Sequence, residues 1–378
     1  MLNLPDFPWD SLAPVKERAS SAATTDGLGL VDLSVGTPVD PTPAVVQEAL
    51  RSASSAPGYP QTWGTPALRE AVATWFATRR GVPDVDPDGV LPTIGSKELV
   101  AWLPTLLGLG AGDIVGFPSA AYPTYDVGAR LAGATPQVVD GLAALGPLTP
   151  ATTPKLLWLN TPGNPTGQVL GVEHLAKVVA WARQHGVVVA SDECYAELDW
   201  RTDRDGATAP TTPSILDPRV TGGSHEGLLC VYSLSKQSSL AGYRAAFVAG
   251  DPRLVKQLLE VRKHAGMIVP WPVQVAITAA VADAAHVEAQ KAVYAARRET
   301  LLAAVRAFGL EVTHSEAGLY LWATAREDAW VTLERLAARG ILAAPGTFYG
   351  AAGREHVRIA LTASDEQIAA AAARLTAG

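Results

Sequence analysis

A lysine stands just past a buried strand in this chain, among residues whose types could do chemistry. The apolar run Leu228 to Tyr232 reads as a short strand, and Ser233-Leu234-Ser235-Lys236 follows it, with Gly242 and Arg244 a little further on. An ammonium resists burial unless it is paired or chemically used. Two hydroxyls and a guanidinium near such a lysine suit a covalent hold on an aldehyde beside a gripped phosphate. Taken alone, the stretch fits equally well as a Ser-rich loop with a solvated lysine and a strand-edge arginine.

Other polar residues must decide between the two. In Asn160-Thr161-Pro162-Gly163-Asn164-Pro165-Thr166-Gly167, breakers and glycines force a tight turn after a strand, aiming the Asn164 amide above the sheet. A turn-forming asparagine is the plainer reading. Asp192, which opens Asp192-Glu193-Cys194-Tyr195, comes straight after the apolar Val187-Val188-Val189-Ala190 and Ser191, and a carboxylate so placed needs a cationic partner. Gly95-Ser96-Lys97 opens an apolar helix, where free N–H groups and the dipole make an anion site, although most such helix starts bind nothing. Tyr122 follows a strand and could stack on a flat heterocycle or pack in the core. Tyr59 lies in the breaker-rich loop Pro57-Gly58-Tyr59-Pro60, and Gly36 ends a strand where a backbone could approach a ligand.

The elements that must position these residues alternate. Strands are expected at Leu30 to Val35, Val90-Leu91, Asp113 to Phe117, Lys155 to Asn160, Val187 to Ser191, Leu228 to Tyr232 and Ala245 to Ala249. Helices are expected after Pro41-Thr42-Pro43, after Thr65-Pro66, and over Glu98 to Leu107, Val172 to His185 and Arg253 to His264. Such alternation predicts a parallel sheet with crossover helices, in which ligands bind at the carboxyl ends of the strands. Asn164, Asp192 and Lys236 follow three successive strands and fall at those ends. Residues 1–30 read as irregular, and Arg201 to Gly227 as an exposed, mobile excursion without period. A helix from about Val273 onwards and another over Tyr294 to Phe308 lead to a second unit, which mixes strands (Gly318 to Ala323, His356 to Leu361) with helices (Ala329 to Arg339, Asp365 to Leu375).

Composition removes several classes of function. The 378 residues are 48% hydrophobic and 18% charged, enough for a large core. A net charge of −7 without a Lys/Arg-rich run argues against nucleic acid, and no apolar run reaches membrane-spanning length. Cys194 and Cys230 both lie in apolar segments, which suits a reduced, cytoplasmic protein rather than a disulfide framework. The Pro-broken stretch Met1 to Trp9 lacks the pattern of a signal peptide, and no metal-ligand set is assigned.

Taken together and in order, these motifs resemble the fold-type I, class I/II pyridoxal-phosphate aminotransferases along nearly the whole chain. The resemblance implies an α/β fold with a mostly parallel seven-stranded sheet, helices on both faces and a smaller α+β domain. It divides the chain into a large cofactor-binding domain over 41–283 and a small domain from 1–40 and 284–378. It further implies that Lys236 holds the aldehyde of pyridoxal 5′-phosphate covalently and later shuttles a proton between the substrate Cα and the cofactor C4′. Asp192 would pair with the pyridine nitrogen; Asn164 and Tyr195 would bond the phenolic oxygen; Tyr122 would stack on the ring. Ser233, Ser235, Arg244 and the amides at Gly95-Ser96-Lys97 would hold the phosphate, with Tyr59 reaching in from the partner of a homodimer. Arg358, in Val357-Arg358-Ile359-Ala360, would take the substrate α-carboxylate in a bidentate pair, with Gly36 lying over it. Alone, that arginine would read as half of a structural salt bridge. Trp63 departs from the family, which often carries a small residue there.

Three stretches are more particular: Leu33 to Asp40, Ile94 to Val100 and Ser191 to Tyr195. They are similar to actinobacterial-type N-succinyldiaminopimelate aminotransferases of lysine and diaminopimelate biosynthesis. That likeness implies exchange of an amino group between N-succinyl-LL-2,6-diaminopimelate and 2-oxoglutarate, with glutamate as donor. A broad aspartate or aromatic aminotransferase and a C–S β-lyase share the same core motifs. A regulator with an aminotransferase-like sensor domain would need a basic DNA-binding module, for which the segment before the first expected helix leaves no room.

Overall fold

The structure is a computed structural model of the chain and describes residues 4–22, 26–145, 148–201 and 212–377. Seven strands make the central sheet: β1 (Val90–Ile94), β2 (Ile114–Phe117), β3 (Thr135–Val138), β4 (Leu156–Asn160), β5 (Val188–Asp192), β6 (Leu228–Ser233) and β7 (Ala245–Gly250). Their spatial order is β1-β7-β6-β5-β4-β2-β3. β7 runs antiparallel to both neighbours, and every other adjacent pair is parallel. The expected α/β fold with a mostly parallel sheet is therefore the fold observed.

Alternation of side chains along each strand divides the core between the two faces of the sheet. Leu228, Cys230 and Tyr232 of β6 join Phe247 of β7 under the helices Pro66–Arg79, Val172–His185 and Trp271–Ala282. Leu229 and Val231 face the other way with Trp158 and Val248, under Ser96–Leu106, Thr124–Leu131 and Pro252–Ala265. Because both faces are covered, β6 and β7 are buried at every position, which is why they read as unbroken apolar runs.

A second core lies around a four-stranded antiparallel sheet ordered Ala344–Pro345, His356–Ala360, Tyr320–Thr324, Glu311–His314. The helices Ala284–Ala307, Ala329–Ala337 and Asp365–Thr376 pack on it, joined by the N-terminal helix Ala13–Ser21. The last of these corrects the reading of residues 1–30 as irregular. Val15 and Ala19, four apart, are the only buried positions of that helix, too few to register as a period.

Three other expectations need correction. Strand pairing at Leu30 to Val35 is confined to Val31–Asp32, which pairs with Ile341–Leu342. The Asp32 carboxylate accepts bonds from the Ser34 amide and hydroxyl and turns the chain out of the ladder. The helical run after Val273 is broken at Asp283, whose side chain caps the 24-residue helix Ala284–Ala307 by accepting from the Ala285 N–H.

The third correction concerns 201–227. Residues 202–211 of it lie outside the described residues, but Thr212, Ser214, Ile215 and Leu216 are fully buried rather than exposed. The Glu193 carboxylate fixes Ser214 and Ile215, accepting from the Ile215 amide at 2.7 Å and from Ser214 Oγ at 3.2 Å, and Thr212 Oγ1 donates to Asp199 at 2.8 Å. Arg80 Nη2 donates to the Glu193 carboxylate at 2.8 Å, and neither side chain of this ion pair reaches solvent. Breaking a buried pair leaves a charge unpaired, so Arg80→Met is expected to lower unfolding free energy by about 3–5 kcal/mol, measured by chemical denaturation. A loss below about 1 kcal/mol would contradict this anchoring role.

Candidate active site

The carboxyl ends of β1, β2, β4, β5 and β6 meet at one edge of the sheet, and the chain continuing from each supplies a polar residue there. Arg244 joins them from the opposite direction: β7 runs against its neighbours, so the residue preceding it lies at the same edge. Between this edge and the second core lies a cavity of about 500 Å³. It is lined by Gly36, Ser96, Lys97, Tyr122, Asn164, Asp192, Tyr195, Ser233, Ser235, Lys236, Arg244 and Arg358, all expected site residues. Gly95 sits directly behind, against Arg244. Tyr59 is not brought to the cavity; within the single chain it is fully exposed.

One end of the cavity is built for an anion. Ser96 opens a helix, and Gly95 before it takes φ +76°, a left-handed conformation natural to glycine. A Cβ there would lie 2.2 Å from Arg244 Nη2. Arg244 is itself left-handed, at φ +56°, and its Nη1 donates to the Ala241 carbonyl at 2.8 Å. Ser233 Oγ donates to Ser235 Oγ at 2.9 Å, completing a cradle of hydroxyls, helix N-terminus and guanidinium.

The floor carries two opposite charges without counter-ions among the described residues. Asp192 is buried and accepts from Tyr125 Oη at 2.9 Å and from the Cys194 amide at 3.2 Å. Burial pushes its carboxyl above the ordinary range, although the bonds from Cys194 and Tyr125 pull the other way. Arg358 is also buried; Nη1 donates to Asn164 Oδ1 at 3.1 Å and Nη2 to the Ser34 carbonyl at 2.8 Å, while Nε has no partner. In the same cavity the Lys236 amine donates to the Gly36 carbonyl, and burial draws its pKa below that of a free lysine.

Several residues at or behind the cavity were not expected from the sequence. Tyr125 was not singled out in the sequence, yet it supplies the bond to Asp192; its place at the start of the helix after β2 was the available signal. Tyr320 lies with Arg358 on one face of the antiparallel pair Tyr320–Thr324 and His356–Ala360, a register no local pattern reveals. Phe7 and Trp9 reach the cavity from the N-terminal segment, and Trp9 packs on Phe348 with ring centroids 5.1 Å apart. Trp63 instead lies under the Arg69 guanidinium, 3.8 Å from the ring centroid.

These residues fit pyridoxal phosphate. An uncompensated buried carboxylate suits a protonated ring nitrogen, the anion cradle suits a phosphate, and a depressed lysine beneath the cavity suits an aldehyde. The Gly95 contact is a direct test of the cradle. Gly95→Ala must displace Arg244 and strain the backbone, so cofactor affinity is expected to fall at least about tenfold in equilibrium dialysis, with the melting temperature little changed. Undiminished affinity would place the phosphate elsewhere.

Residues 29–375 match the family model described as aminotransferase class I and II, and the chain belongs to that family. As a member it is a pyridoxal-phosphate-dependent aminotransferase. Among individual relatives, it is 56% identical over 376 residues to 4-dedimethylamino-4-oxo-anhydrotetracycline transaminase OxyQ of Streptomyces rimosus, covering all of both chains. It is 57% identical over 374 residues to a probable aminotransferase of Mycobacterium tuberculosis, covering 99% of this chain and 86% of the relative. Among solved structures, a probable N-succinyldiaminopimelate aminotransferase of Thermus thermophilus superposes with a TM-score of 0.82 at 28% identity, over 98% of this chain and 99% of that one.

Proposed function

We propose that this aminotransferase exchanges an amino group between N-succinyl-LL-2,6-diaminopimelate and 2-oxoglutarate, with glutamate as donor in the biosynthetic direction. The observation behind an α-amino-acid substrate is Arg358: a buried guanidinium with two neutral acceptors and a free Nε calls for a carboxylate from the ligand. The succinylated substrate rests on likeness to proteins so named, such as the Thermus structure.

When bound, pyridoxal phosphate supplies an aldehyde that accepts the amino group and a ring that draws electron density from the substrate Cα. Lys236 would hold that aldehyde until substrate arrives, then carry the proton from Cα to C4′ with its freed amine. Asp192 would keep the proton on the ring nitrogen, held in place by Tyr125 and the Cys194 amide. Asn164 and Tyr195 would donate to the ring's phenolic oxygen, and Tyr122 would cover one ring face. Ser233, Ser235, Arg244 and the amides at Ser96 and Lys97 would grip the phosphate. Arg358 would fix the α-carboxylate so that the Cα–H bond faces Lys236.

The two cores support dividing the chain into a large unit over 41–283 and a small one from 1–40 and 284–378. Exposed Tyr59, Trp102, Tyr243 and Trp271 support a homodimer in which Tyr59 completes the partner's phosphate site. The free thiols of Cys194 and Cys230 suit the cytoplasm. A second reading, amination of a polycyclic ketone, is favoured by the full-length identity to OxyQ.

Comparing kcat/KM for glutamate-driven amination of succinylated 2-oxo-pimelate, oxaloacetate, an aromatic 2-oxo acid and a tetracyclic ketone separates these readings. At least a hundredfold preference for the succinylated acceptor is the expected result. Preference for the ketone would transfer the assignment to the second reading, and preference for oxaloacetate or the aromatic acid would leave only the general activity.

A further inference from the structure

We infer that Tyr320 is a positioning residue for amino transfer, joining the carboxylate-binding arginine to Tyr195 of the cavity lining; this rests on the roles proposed above for Arg358 and Tyr195. Sheet register puts it there: Tyr320 pairs with Ala360, so Arg358, two residues away on the neighbouring strand, shares its face. The Arg358 guanidinium lies 3.9 Å from the centroid of the Tyr320 ring, and Tyr320 Oη is 3.2 Å from Tyr195 Oη. The ring is buried, and its hydroxyl presses on Gly36, where a Cβ would lie 2.1 Å from Tyr320 Oη. Gly36 in turn accepts from the Lys236 amine through its carbonyl. One side chain therefore touches the arginine, the second tyrosine and the backbone that receives the lysine.

The two halves of Tyr320 do different work. Its ring face holds the guanidinium by cation–π contact, fixing the fork that would meet the α-carboxylate. Its hydroxyl completes a donor chain. When Tyr195 donates to a ligand oxygen in the cavity, the Tyr195 oxygen is free to accept, and the Tyr320 O–H is the donor in reach. Burial alone would weaken the acidity of that phenol, but the charges of Arg358 and Lys236, together with the hydrogen bond to Tyr195, outweigh it and draw its pKa down. Donation into Tyr195 strengthens its own donation onward, by the cooperativity of linked hydrogen bonds.

Tyr320→Phe removes the donor and keeps the ring. In the cofactor-loaded enzyme it is expected to leave the KM for glutamate within about twofold and lower kcat roughly two- to tenfold. It should also raise the pH midpoint of the visible absorbance change by roughly half a unit to one unit, because the lost donor had favoured the proton-free form. Tyr195→Phe should move the midpoint the same way and further. Tyr320→Leu, which removes the ring as well, should also raise the KM roughly three- to thirtyfold. A midpoint and kcat unchanged in Tyr320→Phe but moved in Tyr195→Phe would overturn the inference and leave the site reading standing. No shift in Tyr195→Phe would overturn both. A loss of thermal stability with no change in midpoint would reduce Tyr320 to a packing residue and overturn the inference.

Discussion

Lys236→Ala is expected to abolish amino transfer while the chain folds and binds pyridoxal phosphate. The lysine carries two of the proposed steps, the hold on the aldehyde and the movement of the Cα proton; the cavity's other lysine, Lys97, extends from the helix that opens at the anion cradle. Positioned proton transfer alone is worth about 10²–10⁴-fold, so single-turnover rates with glutamate should fall by at least about 10³-fold. Stability should change little: the amine's one hydrogen bond goes to the Gly36 carbonyl, and removing a buried ammonium relieves its desolvation. Circular dichroism melts and cofactor binding run beside the kinetics would separate a chemical loss from unfolding. Turnover within tenfold of the parent, in protein that melts normally, would remove Lys236 from the mechanism.

Arg358→Lys should produce the next largest loss, and a selective one. The parent guanidinium already spends Nη1 on Asn164 and Nη2 on Ser34, leaving Nε and the remaining N–H groups for a ligand. A lysine keeps the charge but not the planar fork or its contact with the Tyr320 ring. Hydrogen bonds to a charged group contribute about 1.5–3 kcal/mol each, so kcat/KM for α-amino acids should drop roughly 10²–10³-fold. An amine lacking the α-carboxylate has nothing to lose at that position, and its already slow reaction should be unchanged. Equal losses for both amines would mean that the substitution damages the site generally and that the carboxylate binds elsewhere.

How much of this was legible in the sequence depends on how local each signal is. The buried strands that deliver Asp192 and Lys236 announce themselves because a sheet covered on both faces needs unbroken apolar runs. The Asn164 turn and the Gly95 helix start are equally local, set by breakers and caps within a few residues. The placing of Tyr320 and Arg358 on one face of the sheet was not legible, since antiparallel register across the intervening chain leaves no mark in either segment. Phe7 and Trp9 escaped for a similar reason: a segment without apolar period gives no hint that its aromatics fold over a distant cavity. The buried run Thr212 to Leu216 was read as exposed because its polar residues look solvated, until Glu193 and Asp199 are seen to satisfy them. The charges of Asp192 and Arg358 were foreseeable as residues; that neither finds a counter-ion among the described residues is a three-dimensional fact.

The central claim is that this edge of the sheet binds pyridoxal phosphate and passes it an amino group. A visible absorbance titration of the cofactor-loaded protein with glutamate, in the absence of any acceptor, tests it most directly. The account predicts that the visible band is lost stoichiometrically as one 2-oxoglutarate forms per active site, and that adding 2-oxoglutarate restores it. A protein that shows no cofactor band after reconstitution, or a band that glutamate leaves untouched, would contradict it.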